Sequence, residues 1–253
     1  MKTIDVDLCI SFPGSGRTWL LIMLHKNGLY TPLAFTHGVM TNKTFTVENQ
    51  HVGFTNRTII FSKFIKNKLK LKGCFIINYK RVIFLWRNPF DILCSVNDKF
   101  DDKTPHELAI HKRPLTASFK EDRWSPDKLK ANFKHILEYH IAVIEYCKQY
   151  NIPIYYVSYH DLLKENTFID LCNYLGCFDL DKIKSVYKKY SIDNIFELPE
   201  GIIERKSLRR KINVGPDRDY RKIIPKELIN SLQEIISELD YNNKVAAKFN
   251  VVL

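Results

Sequence analysis

The sequence predicts a three-layer α/β fold, a mainly parallel sheet with helices on both faces. Three observations predict it. Short apolar runs alternate along the chain with longer amphipathic stretches. The apolar runs read as strands buried inside a sheet. Two of them stop at turn-forming clusters, Pro13-Gly14-Ser15-Gly16 and Asn88-Pro89, from which helical stretches begin.

Each element follows in order. Val6 to Ser11 is the first buried strand, and Thr18 to Asn27 the first helix, with Leu20, Leu21, Met23 and Leu24 apolar and Gly28 as its stop. Arg81 to Trp86 is the second strand and Asp91 to Lys99 the helix after it. Residues 101–126 are polar and broken by Pro105, Pro114 and Pro126, which predicts a long surface loop or lid. Asp127 to Tyr150 is a long amphipathic helix that sets Leu129, Phe133, Ile136, Leu137, Ile141 and Ile144 on one face. Ile152 to Ser158 is the third strand. Leu162 to Leu175 is a helix stopped by Gly176, and Pro225 to Leu239 a helix opened by proline. Ligands of such a sheet lie beyond the carboxyl ends of its strands.

Composition bounds the function. The chain has 253 residues, of which 45% are hydrophobic and 26% charged, which excludes a largely disordered chain and fits one α/β domain. Thirty-nine basic residues against 28 acidic ones leave a net charge of +11, so an anionic partner is expected. The N-terminus lacks the basic region and longer apolar core of a secretory leader. No stretch reaches the roughly 20 apolar residues of a membrane span. Six cysteines without CxxC spacing predict buried thiols, a reducing compartment and no metal site; the expected location is the cytoplasm.

The first candidate site is Ser11-Phe12-Pro13-Gly14-Ser15-Gly16-Arg17-Thr18-Trp19. Strand, glycine-rich turn and helix together hold a phosphate, because backbone N–H groups converge on it and the helix adds its positive end. The segment almost matches GxxxxGK[ST], with Ser11 for the first glycine and Arg17 for the lysine. A plain tight turn is the bland alternative. The second site is Arg87-Asn88-Pro89-Phe90-Asp91 with Ser95. A P-loop NTPase wants a magnesium-binding acid at such a strand end. Arginine there supplies a bidentate anion clamp instead. The bland reading is a surface arginine with Asp91 as an N-cap. Two anion sites without a metal carboxylate point to a nucleotide with two separated phosphates.

SFPGSGRTWL, VIFLWRNPFDILCS and VSYHDLLKENTFIDLCNYLG, in this order, resemble the PAPS-dependent sulfotransferase family, in its bacterial-type form. The resemblance runs from about residue 5 to 225, loops excepted. It implies one domain over residues 1–253, of P-loop nucleotide-binding type, that uses 3′-phosphoadenylyl sulfate (PAPS) and releases adenosine 3′,5′-bisphosphate (PAP), with no metal. It places Ser15, Gly16, Arg17, Thr18 and Trp19 around the 5′-phosphosulfate, Arg87 and Ser95 at the 3′-phosphate, and Tyr159 near the adenine. Asp161 is then structural, and His160 stands in place of the family's glutamate. Arg209-Arg210-Lys211-Ile212-Asn213-Val214-Gly215 resembles the family's basic 3′-phosphate segment, with either Arg209 or Arg210 in the arginine's place.

One departure bears on the chemistry. Gly14 stands where the family has a loop lysine that neutralises the leaving phosphate oxygen. Charge develops on that oxygen as the bond breaks, so a cation belongs near it. Arg17 is the local candidate and Lys63 the distant one. Transfer also needs a base, and histidine suits neutral pH. Of the eight histidines, His135 and His140 sit on the long helix, His25 within the first, His106 and His111 in the expected lid. Thr36-His37 resembles a Thr/Ser-His element of bacterial-type relatives, which makes His37 the candidate base and His51 the runner-up.

The expected activity is sulfuryl transfer to a hydroxyl or amine of a small molecule, lipid or carbohydrate, with no nucleic-acid partner. A P-loop kinase is the alternative. A non-catalytic nucleotide or nucleic-acid binder is a further one, drawn from Lys63, Lys66, Lys68, Lys70 and Lys72 among apolar neighbours. A solvated helix with one apolar face is the plainer reading of that run.

Overall fold

The computed structural model describes residues 2–12, 15–29, 75–99, 126–191, 220–222 and 224–253. Strand β1 (Lys2–Ile10) leads into helix α1 (Arg17–Lys26), and β2 (Phe75–Trp86) leads into α2 (Pro89–Lys99). Helix α3 (Pro126–Gln149) precedes β3 (Ile154–Ser158). After a 3₁₀ turn at Asp161–Leu163 come α4 (Glu165–Tyr174) and α5 (Leu180–Tyr190). A second 3₁₀ turn (Tyr220–Lys222), α6 (Lys226–Glu238), α7 (Tyr241–Lys244) and a last turn (Ala246–Phe249) complete the described chain.

The sheet has the order β1-β2-β3, and both pairings are parallel. Its residues divide strictly by parity between two cores. Leu8, Ile10, Val82, Phe84 and Trp86 face α2, α3, α6 and α7. Cys9, Ile83 and Leu85 face α1, α4 and α5. Both faces are therefore apolar, which explains why these strands read as runs rather than as alternating patterns. The three-layer expectation holds.

Local chemistry moves several boundaries. β2 begins six residues before the expected Arg81, because Lys80 is a bulge: Val6 pairs with Tyr79 and Asp7 with Arg81. An inserted residue shifts the facing of everything after it, so the alternation across the bulge is broken. α2 starts at Pro89 rather than Asp91. The Asn88 side chain accepts from the Phe90 N–H at 2.9 Å, and proline fills the first helical position, where no N–H is needed. Asn88, not Asp91, is the cap. α5 was not expected; Asp179 caps it by accepting from the Lys182 N–H at 3.1 Å.

Cys9, Cys94, Cys147 and Cys172 are buried thiols, and burial pushes Cys147 and Cys172 up to about 12. They stay neutral and inert at physiological pH.

Arg81 ties the sheet to α4. Its Nε and Nη2 donate to the two Asp7 oxygens, each at 2.7 Å, and Nη1 donates to the Tyr174 carbonyl oxygen. The Tyr174 ring lies 4.8 Å from the guanidinium. The two charged partners are about four-fifths buried. Arg81→Ala leaves a carboxylate and a helix-end carbonyl without donors. We expect it to cost about 2 kcal/mol and about 5 °C in Tm, by calorimetry. A loss no larger in Arg81→Ala than in the Asp7→Ala/Arg81→Ala double variant would mean the pair contributes nothing.

Candidate functional site

Because the three strands are parallel neighbours, their carboxyl ends fall on one edge, and three turns meet there. The first runs from Ser11 to Gly16. Phe12 anchors it, edge-on against Tyr139 and His135 of α3 at 5.4 and 5.8 Å. The Ser15 N–H donates to the Phe12 carbonyl oxygen at 3.3 Å, which closes the turn. Gly16 is the cap of α1 in the left-handed region, φ 82°. Its carbonyl accepts from the Trp19 and Leu20 N–H groups at 3.1 and 3.2 Å. The Ser15 hydroxyl is fully buried and has no hydrogen-bond partner among the described residues. A buried hydroxyl without a partner is costly, so it marks a place where a ligand atom is wanted.

The second turn carries Arg87, whose side chain is 4% exposed. The third carries Tyr159, whose N–H donates to the Trp86 carbonyl oxygen at 2.7 Å, extending the β2–β3 pairing by one residue. Tyr159 joins the other two turns. Its ring lies 4.7 Å from the Arg87 guanidinium, a cation–π arrangement. Its other contact is Gly16, where a Cβ would overlap the ring. Trp19 meets the same ring edge-on at 6.1 Å. The indole N–H of Trp19 donates to the Tyr190 carbonyl oxygen at 2.7 Å, so Trp19 serves the loop as a buried wall.

Charge around Arg87 is balanced locally. Asp91 Oδ2 lies 4.0 Å from Arg87 Nε and 3.6 Å from His160 Nε2. Asp161 is a separate fixture. It accepts from the Ser158 hydroxyl at 2.7 Å and from Lys164 at 2.9 Å, which holds its carboxyl below the usual range. That is the structural role expected of it. Tyr220 stacks on Phe90 at 4.5 Å and 11°, pinning the start of the C-terminal region beside the Arg87 turn.

Of the residues singled out in the sequence, Ser15, Gly16, Trp19, Arg87 and Tyr159 are brought together on one edge. For Arg17, Thr18 and Ser95 the backbone alone is described: Arg17 and Thr18 open α1, and Ser95 lies in the second turn of α2. Gly14, His37, His51, Lys63, Arg209, Arg210 and Lys211 lie outside the described residues. Sequence reasoning missed His160 and Tyr220 as site neighbours. Both depend on partners more than 60 residues away, which no local pattern reveals.

No protein-family model and no curated protein sequence matches the chain. Among solved structures it is similar in fold to mouse sulfotransferase SULT7A1 complexed with PAP. The TM-score is 0.55 and the identity 14%, over 98% of this chain and 89% of that one. The likeness is one of fold. No helix among the described residues is long and apolar enough to cross a membrane.

Proposed function

We propose that this chain is a sulfotransferase that takes the sulfuryl group of PAPS and passes it to a hydroxyl or amine of a small-molecule, lipid or carbohydrate acceptor, in the cytoplasm and as a single domain over residues 1–253. The observation that carries this reading is the pairing across Tyr159 of a glycine-opened helix start with a buried arginine at the end of β2. A nucleotide with phosphates at both ends needs two such anion sites on one edge. The residues present fit it: Ser15 offers a buried hydroxyl without a partner, and Gly16 leaves room for nothing larger. The fold of a PAP-bound sulfotransferase supports the same reading.

Under this proposal Ser15, Gly16, Arg17, Thr18 and Trp19, with Gly14, surround the 5′-phosphosulfate. Arg87 and Ser95 hold the 3′-phosphate, helped by Arg209, Arg210 and Lys211. Tyr159 supports the adenine side and braces Arg87. The tethering of Tyr220 to Phe90 favours the basic segment's part. Lys211 precedes Tyr220 by nine residues, a span of at most about 30 Å. PAPS supplies the sulfuryl group. An acceptor oxygen or nitrogen forms the new bond to sulfur as the bond from sulfur to the phosphate oxygen breaks. His37 takes the acceptor's proton, and Arg17 neutralises the charge left on the phosphate oxygen.

Thermal melting decides between this reading and a kinase. A ligand that binds only the folded state raises Tm by mass action, by about 2.7 kcal/mol of stability at one hundred times its Kd. We expect PAP to raise Tm without magnesium, and ADP with magnesium to do so much less. The reverse order of the two ligands would overturn the proposal in favour of phosphoryl transfer.

A further inference from the structure

The arginine at the end of β2 is not alone with its ligand. Asp91 Oδ2 stands between two cations, 4.0 Å from Arg87 Nε and 3.6 Å from His160 Nε2. Neither separation is a hydrogen bond, so the carboxylate is shared by charge rather than held by fixed geometry. Arg87 and Asp91 are buried, whereas the His160 side chain is 48% exposed and open to protons. A buried carboxylate beside an arginine offsets part of the positive charge that the arginine shows to an anion. How much it offsets depends on the charge of the third member.

We infer that His160 is a positioning residue that sets, through Asp91, how strongly Arg87 holds a phosphate. With His160 protonated, the imidazolium balances Asp91 and leaves the Arg87 charge for the ligand. With His160 neutral, Asp91 and Arg87 balance each other and the clamp weakens. The inference rests on the reading of Arg87 as the 3′-phosphate clamp. Histidine is the side chain whose charge changes between about pH 5 and 8, so affinity at this subsite rises as pH falls across that range. The other groups around His160 among the described residues are the Tyr159 ring at 5.8 Å, Asp161 and Lys164. Asp161 favours the imidazolium, but its charge is already engaged by Lys164 and the Ser158 hydroxyl. Asp91 and Arg87 therefore dominate the balance at His160.

The test compares PAP with adenosine 5′-monophosphate, which shares the 5′-phosphate and lacks the 3′-phosphate. The ratio of their Kd values isolates the Arg87 subsite. Measured at pH 8 and pH 6.5, both above the last phosphate pKa of about 6, the ratio is expected to shift by about fivefold toward PAP in the native protein. In His160→Gln, whose change lies on a half-exposed side chain, the ratio is expected to stay level. In Asp91→Asn, PAP is expected to be favoured at both pH values with no step between them. An equal pH step in the native protein and His160→Gln overturns the inference. A step that survives in Asp91→Asn overturns the route through Asp91. Failure of PAP to bind any of the three proteins overturns the nucleotide reading itself, and the inference with it. PAP binding with a level ratio in the native protein overturns the inference alone.

Discussion

Gly16→Ala is expected to lose PAP binding by more than tenfold and to lower stability by about 2–3 kcal/mol, against about 1–2 kcal/mol for Gly176→Ala. The two glycines share a left-handed backbone, φ 82° and φ 89°, and differ in surroundings. A Cβ at Gly176 meets nothing within 4 Å, so that variant reports backbone strain alone. A Cβ at Gly16 overlaps the Tyr159 ring, and the ring has little room to yield. It is 4% exposed, with Trp19 against it and the Arg87 guanidinium over it. Relief must come from moving Tyr159, and with it Arg87, or from moving the start of α1. Either shift parts the two anion sites that PAP is proposed to bridge. Calorimetry and PAP titration on both variants check this. Equal losses in Gly16→Ala and Gly176→Ala would mean that the close approach of Gly16 to Tyr159 has no functional consequence.

Much of this edge was legible in the sequence because its signals are local. A glycine-rich turn between an apolar run and a helix, and an arginine where an apolar run stops, each lie within ten residues. What escaped needed distance. The Asp91–His160 approach joins residues 69 apart in the chain, and the Trp19 bond to Tyr190 joins residues 171 apart. Lys80 hid the first half of β2, because a bulge breaks the period that reveals a strand. α5 went unread although Leu180, Ile183, Val186, Tyr187 and Tyr190 have helical spacing. Its lysines cover the signal, and the cap at Asp179 was the cue that could have exposed it. Asp91 read as a cap because Asn88 and Asp91 are both good capping residues at the same turn. Only the start of α2 at Pro89 separates them.

The second large effect concerns acid. His140 on α3 is fully buried beneath the anion loop, edge-on to Phe84 at 5.4 Å and to Phe12 at 6.5 Å. Its Nδ1 lies 2.6 Å from the Tyr241 hydroxyl, which also receives the Trp86 indole N–H at 2.8 Å. An indole N–H can only donate. The hydroxyl therefore accepts from Trp86 and gives its one proton to His140 Nδ1. That assigns the neutral imidazole its hydrogen on Nε2, which has no partner among the described residues. A second proton would have to sit on Nδ1, where Tyr241 already donates, inside an apolar core. Burial accordingly pushes His140 down to about 3. The unfolded chain takes up this proton near pH 6.5 and the folded one only near 3, so the unfolded state binds more protons in between. The stabilisation is complete above pH 6.5 and declines as pH falls toward 3, by up to about 1.4 kcal/mol per pH unit. His140→Gln keeps an acceptor for Tyr241 and has no proton to gain. Urea unfolding from pH 6.5 to 4 is expected to give a slope shallower in His140→Gln by close to one proton. The variant is less stable at pH 7 and gains on the native protein as acid is added. Parallel slopes in the two proteins would show that His140 is not what ties this fold's stability to pH. Because Phe12 packs on His140, loss of that packing in acid also loosens the loop that carries Ser15 and Gly16. PAP binding is then expected to fail at a pH above that of global unfolding.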